Sequence, residues 1–272
     1  MFRYTRFRYT RRDFLLTTLS IFLVLSCRSA KAEELSIVGT GDGFVIVSAL
    51  AKAFNDTHGA KTVLIPPSIG SSGGIKAVGN GQFALGRVAR RIKDREKGYG
   101  LTYMAFAKFP IVFFVNESVA VDSLTTDQVV QIFAGNIKNW REVGGDDEKI
   151  RVVRREDGDS SLQNLRKTLP GFGQIAITVK SKTTTTTQDN FAIVAELPRA
   201  IGFGPYPDAL QSPVKVLRID GKMPTAPGYA SFTELALVYK AENMTGLVAE
   251  FIEFLKTDAA RRVIRQYGGL PK

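Results

Sequence analysis

The sequence predicts an α/β protein of two lobes. Three observations carry that reading. Short apolar runs alternate with segments of helical periodicity along most of the chain. Three turns rich in glycine, hydroxyl and acidic residues each follow a strand and open a helix. Pro110 interrupts a long extended run at Phe109-Pro110-Ile111, and Pro205, Pro207, Pro213, Pro224 and Pro227 gather between 205 and 230, marking two crossovers between lobes.

The elements follow in order. Leu35–Val38 reads as a strand, and Phe44–Asn55 as a helix with Val45, Val47, Ala49, Leu50, Ala53 and Phe54 on or near one face. Thr62–Ile65 is the next strand, Ile75–Val78 begins a short helix, and Phe83–Val88 is a third strand. This β-α-β-α-β order predicts a mainly parallel sheet with covering helices. Tyr103–Asn116 is extended but broken at Pro110, and Thr125–Phe133 is helical with Gly135 as its stop. Ile150–Val153 reads as a strand, Ser160–Leu169 as a helix and Ile175–Val179 as extended, while the five threonines Thr183–Thr187 read as a loop. Asp189–Leu197 is helical; Ala200–Phe203, Val214–Ile219 and Leu235–Tyr239 are strands. Gly246–Tyr267 is the strongest helical segment, with Leu247, Phe251, Phe254 and Leu255 as its apolar stripe. The expected division is lobe 1 over 33–108 and 228–272, and lobe 2 over 109–227.

Residues 1–32 stand apart. Arg3, Arg6, Arg8, Arg11 and Arg12 precede the apolar run Phe14–Leu25, too short to cross a bilayer, and Ala30-Lys-Ala32 has the small-residue spacing of a cleavage site. This is the pattern of a secretory signal peptide. Thr10-Arg-Arg-Asp-Phe-Leu-Leu16 resembles a twin-arginine (Tat) export signal, which implies a bacterial source and a periplasmic destination; an ordinary secretory leader with a rich basic region is the alternative. Cys27, the single cysteine, closes Val24-Leu-Ser-Cys27 in a way that resembles a lipoprotein signal, against plain cleavage after Ala32. Neither route leaves a disulfide.

The leader also carries much of the charge. Seven Lys/Arg and one Asp give residues 1–32 a charge of +6, so the full-chain +11 falls to +5 over residues 33–272. That mild excess suits a small anion and argues against a nucleic-acid partner.

The three turns are Gly39-Thr-Gly-Asp-Gly-Phe44, Gly70-Ser-Ser-Gly-Gly74 and Arg154-Arg-Glu-Asp-Gly-Asp-Ser-Ser161. Each places helix N-terminal N–H groups at the carboxyl end of a strand, where the helix dipole favours negative charge. Glycine admits an anion close to the backbone, serine adds a hydroxyl, and Arg155 adds a planar fork suited to an oxyanion. Any one such loop, taken alone, reads as ordinary helix capping; three of them, one beside an arginine pair, predict an anion site.

These loops also carry a family resemblance. The chain beyond the leader resembles the periplasmic phosphate-binding proteins of bacterial ABC transporters, of the type II periplasmic binding architecture. Gly70-Ser-Ser-Gly-Gly-Ile-Lys76 is close to that family's second phosphate loop, and Arg154–Ser161 looks like a variant of its third. Gln131–Trp140, Leu197–Phe203 and Tyr267–Pro271 fall in family order. The resemblance implies mixed sheets and a ligand cleft between two lobes that close on a dehydrated oxyanion, phosphate first among them. It also implies delivery to a permease in the inner membrane, and a monomer without cofactor or catalysis. By position, Phe44 would offer its N–H, and Ser71, with Ser72 beside it, N–H and hydroxyl groups. Arg155 would pair with the anion, Asp157 would orient Arg155, and Ser160 and Ser161 would donate from a helix start.

The chain departs from the family pattern at three places. Gly43 stands where a threonine is usual. Ala89 stands where an aspartate usually accepts the phosphate's proton. Asp159-Ser-Ser161 replaces Ser-Gly-Thr, and Asp159 either restores an acceptor or caps the helix. Arg87 and Arg90 either add charge to the cleft or belong to a solvated basic face with Arg91, Lys93 and Arg95. His58, the one histidine, reads as a solvated turn residue and Trp140 as packing. There is no His/Cys set for a metal, no hydrolase elbow, and no P-loop spacing after Gly70. An exported phosphatase, or a sensor or adhesion protein with a degraded site, remains the alternative class.

Overall fold

The computed structural model describes residues 33–272; the leader, Cys27 and the cleavage signal lie outside the described residues. The first lobe begins with β1 (Glu33–Gly39), α1 (Phe44–Asn55), β2 (Lys61–Leu64), α2 (Gly70–Gly79) and β3 (Leu85–Val88). β1 pairs in parallel with β2 on one side and β3 on the other, as the β-α-β-α-β pattern requires. A 14-residue strand, β4 (Thr102–Val115), then runs out of this lobe into the next. β5 (Ser123–Leu124), α3 (Thr126–Ala134), β6 (Arg151–Arg155), α4 (Ser160–Thr168), β7 (Lys182–Thr184), α5 (Thr187–Glu196), β8 (Ala200–Pro205), α6 (Tyr206–Ala209), β9 (Lys215–Val216) and β10 (Arg218–Ile219) build the second lobe. β11 (Phe232–Tyr239), α7 (Gly246–Leu255), α8 (Asp258–Gln266) and β12 (Leu270–Pro271) return to the first.

β4 joins the two lobes through one mixed sheet, of order β2-β1-β3-β11-β4-β8-β6-β7. Its first part, to Pro110, pairs with β11, and its last part, from Ile111, pairs with β8. Pro110 had been expected to break the strand. It sits instead at the changeover between partners, where a residue without an N–H costs no ladder bond, and Ile111 N–H resumes pairing on Ser231 O at 3.0 Å.

The apolar side chains separate at the same point. One cluster holds Phe54, Phe109, Leu235, Leu237, Phe251 and Ile264; the other holds Ile111, Phe113, Phe133, Trp140, Phe172, Phe203 and Tyr229. Phe113, Phe133, Phe172 and Phe203 pack with ring centroids 5.5 to 6.4 Å apart. Each buried Phe contributes on the order of 1.5–3 kcal/mol through area removed from water. Trp140 is part of this packing and donates its indole N–H to Arg199 O at 3.1 Å.

Several expectations are corrected. The Gly246–Tyr267 segment is two helices, because Thr257 leaves helical geometry and its hydroxyl caps α8 through Ala260 N–H. The threonine run is not all loop: its first residues close β7 beside β6, and Thr186 caps α5. Ile175–Val179 forms no strand. α2 starts at Gly70, five residues before the apolar pattern begins, since the glycines and serines form its first turn. His58 is half-buried rather than solvated, its ring stacked on Phe54 at 3.7 Å.

Candidate functional site

The chain reaches the site through close backbone packing. Gly39 ends β1 at φ +139°, and a Cβ there would lie 2.0 Å from Arg87 O. A Cβ on Gly74 would lie 2.8 Å from Gly39 Cα. Both positions therefore need glycine, and the first turn of α2 can press against the end of β1.

Opposite α2, β6 delivers Arg155 and α4 begins at Ser160. Asp159 caps α4, its Oδ1 accepting from Leu162 N–H at 2.9 Å. The N-termini of α2 and α4 meet across the lobes: Ser71 Oγ and Ser160 Oγ are 3.0 Å apart. Ala89 N–H donates to Ser71 Oγ at 3.2 Å and fixes it there.

A cleft of about 380 Å³ opens at this meeting point, lined among others by Ser68, Ser71, Ser72, Arg155, Asp159, Ser160, Thr185 and Thr186. Arg155 is 6% exposed. Its Nε and Nη2 donate to Asp159 Oδ2 at 3.2 and 2.9 Å, while Nη1 is buried with no partner among the described residues. A buried guanidinium N–H without an acceptor is costly in isolation, and an anion accepting from it would offset that cost. Burial, and then the Asp42 carboxylate, push Asp159 up to about 7 against the pull of Arg155.

The nine residues expected at the site do not all converge. Ser71, Ser72, Arg155, Asp159 and Ser160 line the cleft. Asp157 does not orient Arg155: it lies on the surface and pairs with Arg154 and with Arg166, the latter at 3.2 Å. Asp159, four residues on across the turn from β6 to α4, takes the orienting role instead. Ser161 is buried and gives its hydroxyl hydrogen to Asp42 Oδ2 at 2.7 Å. Phe44 N–H is used in a turn to Gly41 O at 3.1 Å. Gly43 adopts φ +74°, and a Cβ there would lie 2.8 Å from Leu235 Cδ2. Gly43 and Phe44 do not line the cleft; near them lies Asp208, a buried acid raised well above its ordinary pKa by burial and then by Asp42, with the Gly43 N–H pulling the other way.

Arg87 and Arg90 are neither free cleft cations nor a solvated face. Arg87 is fully buried and donates to the carbonyls of Ile37, Thr40 and Pro66, the last two at 2.8 and 2.7 Å. Burial lowers its pKa to about 10. Arg90 is paired with both oxygens of Glu96, at 2.8 and 2.7 Å, and with Ser72 Oγ at 2.7 Å.

Sequence reasoning missed Asp42. It is 1% exposed, belongs to the first lobe, and receives hydroxyl hydrogens from Ser161 and Thr187 of the second, each at 2.7 Å. Its place inside the first glycine-rich turn was the available signal. Asp208 and the threonines at the start of α5 gave none.

Two lobes joined by a shared strand, with two helix N-termini and a buried arginine at the cleft between them, have the architecture of the two-lobed solute-receptor class. The chain belongs to the PBP superfamily, whose family model, described as a PBP superfamily domain, matches residues 28–267. It is 28% identical over 255 residues to the phosphate-binding protein PstS of Bacillus subtilis, covering 89% of this chain and 84% of that one. It is 22% identical over 275 residues to PstS of Borreliella burgdorferi, covering 94% and 96%. The fold is similar to a solved putative phosphate ABC transporter substrate-binding protein with bound phosphate from Clostridium perfringens. That likeness has TM-score 0.81 and 27% identity, over 88% of this chain and 100% of that one. A phosphate transport receptor from Vibrio cholerae shares the fold at TM-score 0.65 and 24% identity, over 87% and 99%.

Proposed function

We propose that the protein is an exported solute-binding protein that captures inorganic phosphate between its lobes and delivers it to an ABC permease of the inner membrane. The observation that carries this is the buried Arg155, with Nη1 unpartnered, in a hydroxyl-lined cleft between the N-termini of α2 and α4. The relatives named as phosphate-binding proteins support the ligand class.

In this reading Arg155 pairs with the anion. Ser71, Ser72 and Ser160 supply hydroxyls, and the N–H groups of the first turns of α2 and α4 complete the donor set. A hydrogen phosphate carries a proton and needs an acceptor. Ala89 has none to offer; the Asp159 carboxylate, lining the same cleft, takes its place. No histidine or cysteine lines the cleft, and the protein binds without transforming its ligand. It acts as a monomer in the periplasm, released from a Tat leader or held by lipidated Cys27.

A thermal-shift series on phosphate-free protein tests the reading, with phosphate, arsenate, sulfate and molybdate as arms. A ligand at about a hundred times its Kd stabilises by roughly 2.7 kcal/mol, which reads as a rise of several degrees. A rise with phosphate and arsenate and none with sulfate is expected. A rise with sulfate alone assigns another oxyanion, and no rise with any anion refutes the binding role.

A further inference from the structure

A second cleft, of about 470 Å³, lies beside the first. The two meet at the Ser71–Ser160 contact. Ser160 lines both, and Ala89, whose N–H holds Ser71 Oγ, lines the second. Hydroxyl hydrogens rotate freely, so this shared wall can donate to either side.

The second cleft is basic. Arg90, Arg91, Lys93 and Lys167 face it, against Asp94 and Glu234. Both acids are already engaged: Asp94 pairs with Lys97 at 2.8 Å, and Glu234 pairs with Arg91 at 2.9 Å and with Lys272. Lys93 and Lys167 make no ion pair among the described residues. Arg90 leaves its Nε buried and unpartnered, with its side chain 10% exposed. The half-buried Lys93 ammonium is pushed down by partial desolvation and then by Arg90, Arg95 and Lys167, against an upward pull from Glu96, so these cations are close enough to repel one another. Arg90 is balanced by Glu96 and Arg91 by Glu234, but the two lysines are not paired among the described residues, and an anion between them would relieve their repulsion.

We propose that this second cleft is a subsite for a further phosphoryl group, so that the protein takes linear condensed phosphates, with one end at Arg155 and the other between Lys93 and Lys167. This rests on the oxyanion reading of the first cleft. It adds a ligand class in which a chain of phosphoryl groups passes the two serine hydroxyls.

Calorimetric titration of the full chain with orthophosphate and with tripolyphosphate tests it, in wild type and in a Lys93→Gln/Lys167→Gln double variant. Neither lysine is buried, so the variant keeps the fold, which its melting temperature verifies. Expected is tighter binding of tripolyphosphate than of orthophosphate by wild type. In the double variant tripolyphosphate weakens by about tenfold or more and orthophosphate by less than about twofold. Orthophosphate binding without a tripolyphosphate advantage overturns the subsite alone. Equal weakening of both ligands, or of neither, overturns it as well. Failure of wild type to bind orthophosphate removes the first-cleft reading and the subsite with it.

Discussion

Arg155 and Asp159 form a buried pair in which one carboxylate oxygen receives both Nε and Nη2, at 3.2 and 2.9 Å, and Nη1 is left over. The carboxylate thus fixes the plane of the guanidinium and leaves Nη1 without an acceptor among the described residues, beside the cleft that Arg155 lines. Arg155→Lys keeps the charge and loses the fork. We expect it to weaken phosphate by about 10- to 100-fold, one or two charge-assisted hydrogen bonds, at little cost in stability. Arg155→Ala leaves Asp159 buried and unpaired and lowers stability as well. Titration calorimetry with denaturation curves separates the two effects; undiminished affinity in the lysine variant means that Nη1 does not meet the ligand.

The same pair gives the protein a pH signature. The Asp159 pKa is raised from 3.8 to about 7. Between these values the native state holds a proton that the unfolded chain has released, so stability falls as pH rises through this window. Asp208, raised by the same causes, acts in the same direction. Asp159→Asn removes one of the two contributions, and its stability should fall less steeply than wild type from pH 4 to pH 7. Parallel denaturation midpoints for the two proteins across that range contradict the assignment.

Asp42 ties the lobes together through Ser161 and Thr187, at 2.7 Å each. Asp42→Ala unties both hydroxyls in a buried setting, where each lost bond to a charged group costs about 1.5–3 kcal/mol. The ligand-free variant should melt lower and show a larger radius of gyration by small-angle scattering. Unchanged scattering means that other contacts hold the lobes.

Gly43 occupies a left-handed turn with Leu235 Cδ2 2.8 Å from where a Cβ would be. Gly43→Thr, which places there the threonine that the family resemblance implies, should therefore destabilise by about 1–3 kcal/mol without improving phosphate affinity. A stable variant with tighter binding contradicts the view that this turn serves Asp208 rather than the ligand.

Much of the fold was legible because helices and strands here obey simple periodicities, and the Thr125 capping box with Gly135 marks both ends of α3. Pro110 misled because its missing N–H falls where β4 exchanges partners, a tertiary fact. Gly246–Tyr267 misled because two amphipathic helices in succession look like one until Thr257 is recognised as a cap. At the site, the serines and Arg155 were legible from helix-start chemistry. Which acid holds Arg155 was not, since Asp157 and Asp159 lie in the same turn and only the start of α4 turns Asp159 inward. Asp42 and Asp208 lie 166 residues apart in sequence, and only the folded lobes bring their charges together.

The most direct measurement is calorimetric titration of phosphate-free wild-type protein with inorganic phosphate and, separately, sulfate. A one-to-one phosphate complex with sulfate at least about a hundredfold weaker, some 2.7 kcal/mol of discrimination, is the expected result. A protein that binds neither anion, or sulfate as tightly as phosphate, contradicts a cleft in which Arg155 presents a donor and Asp159 an acceptor to the same ligand.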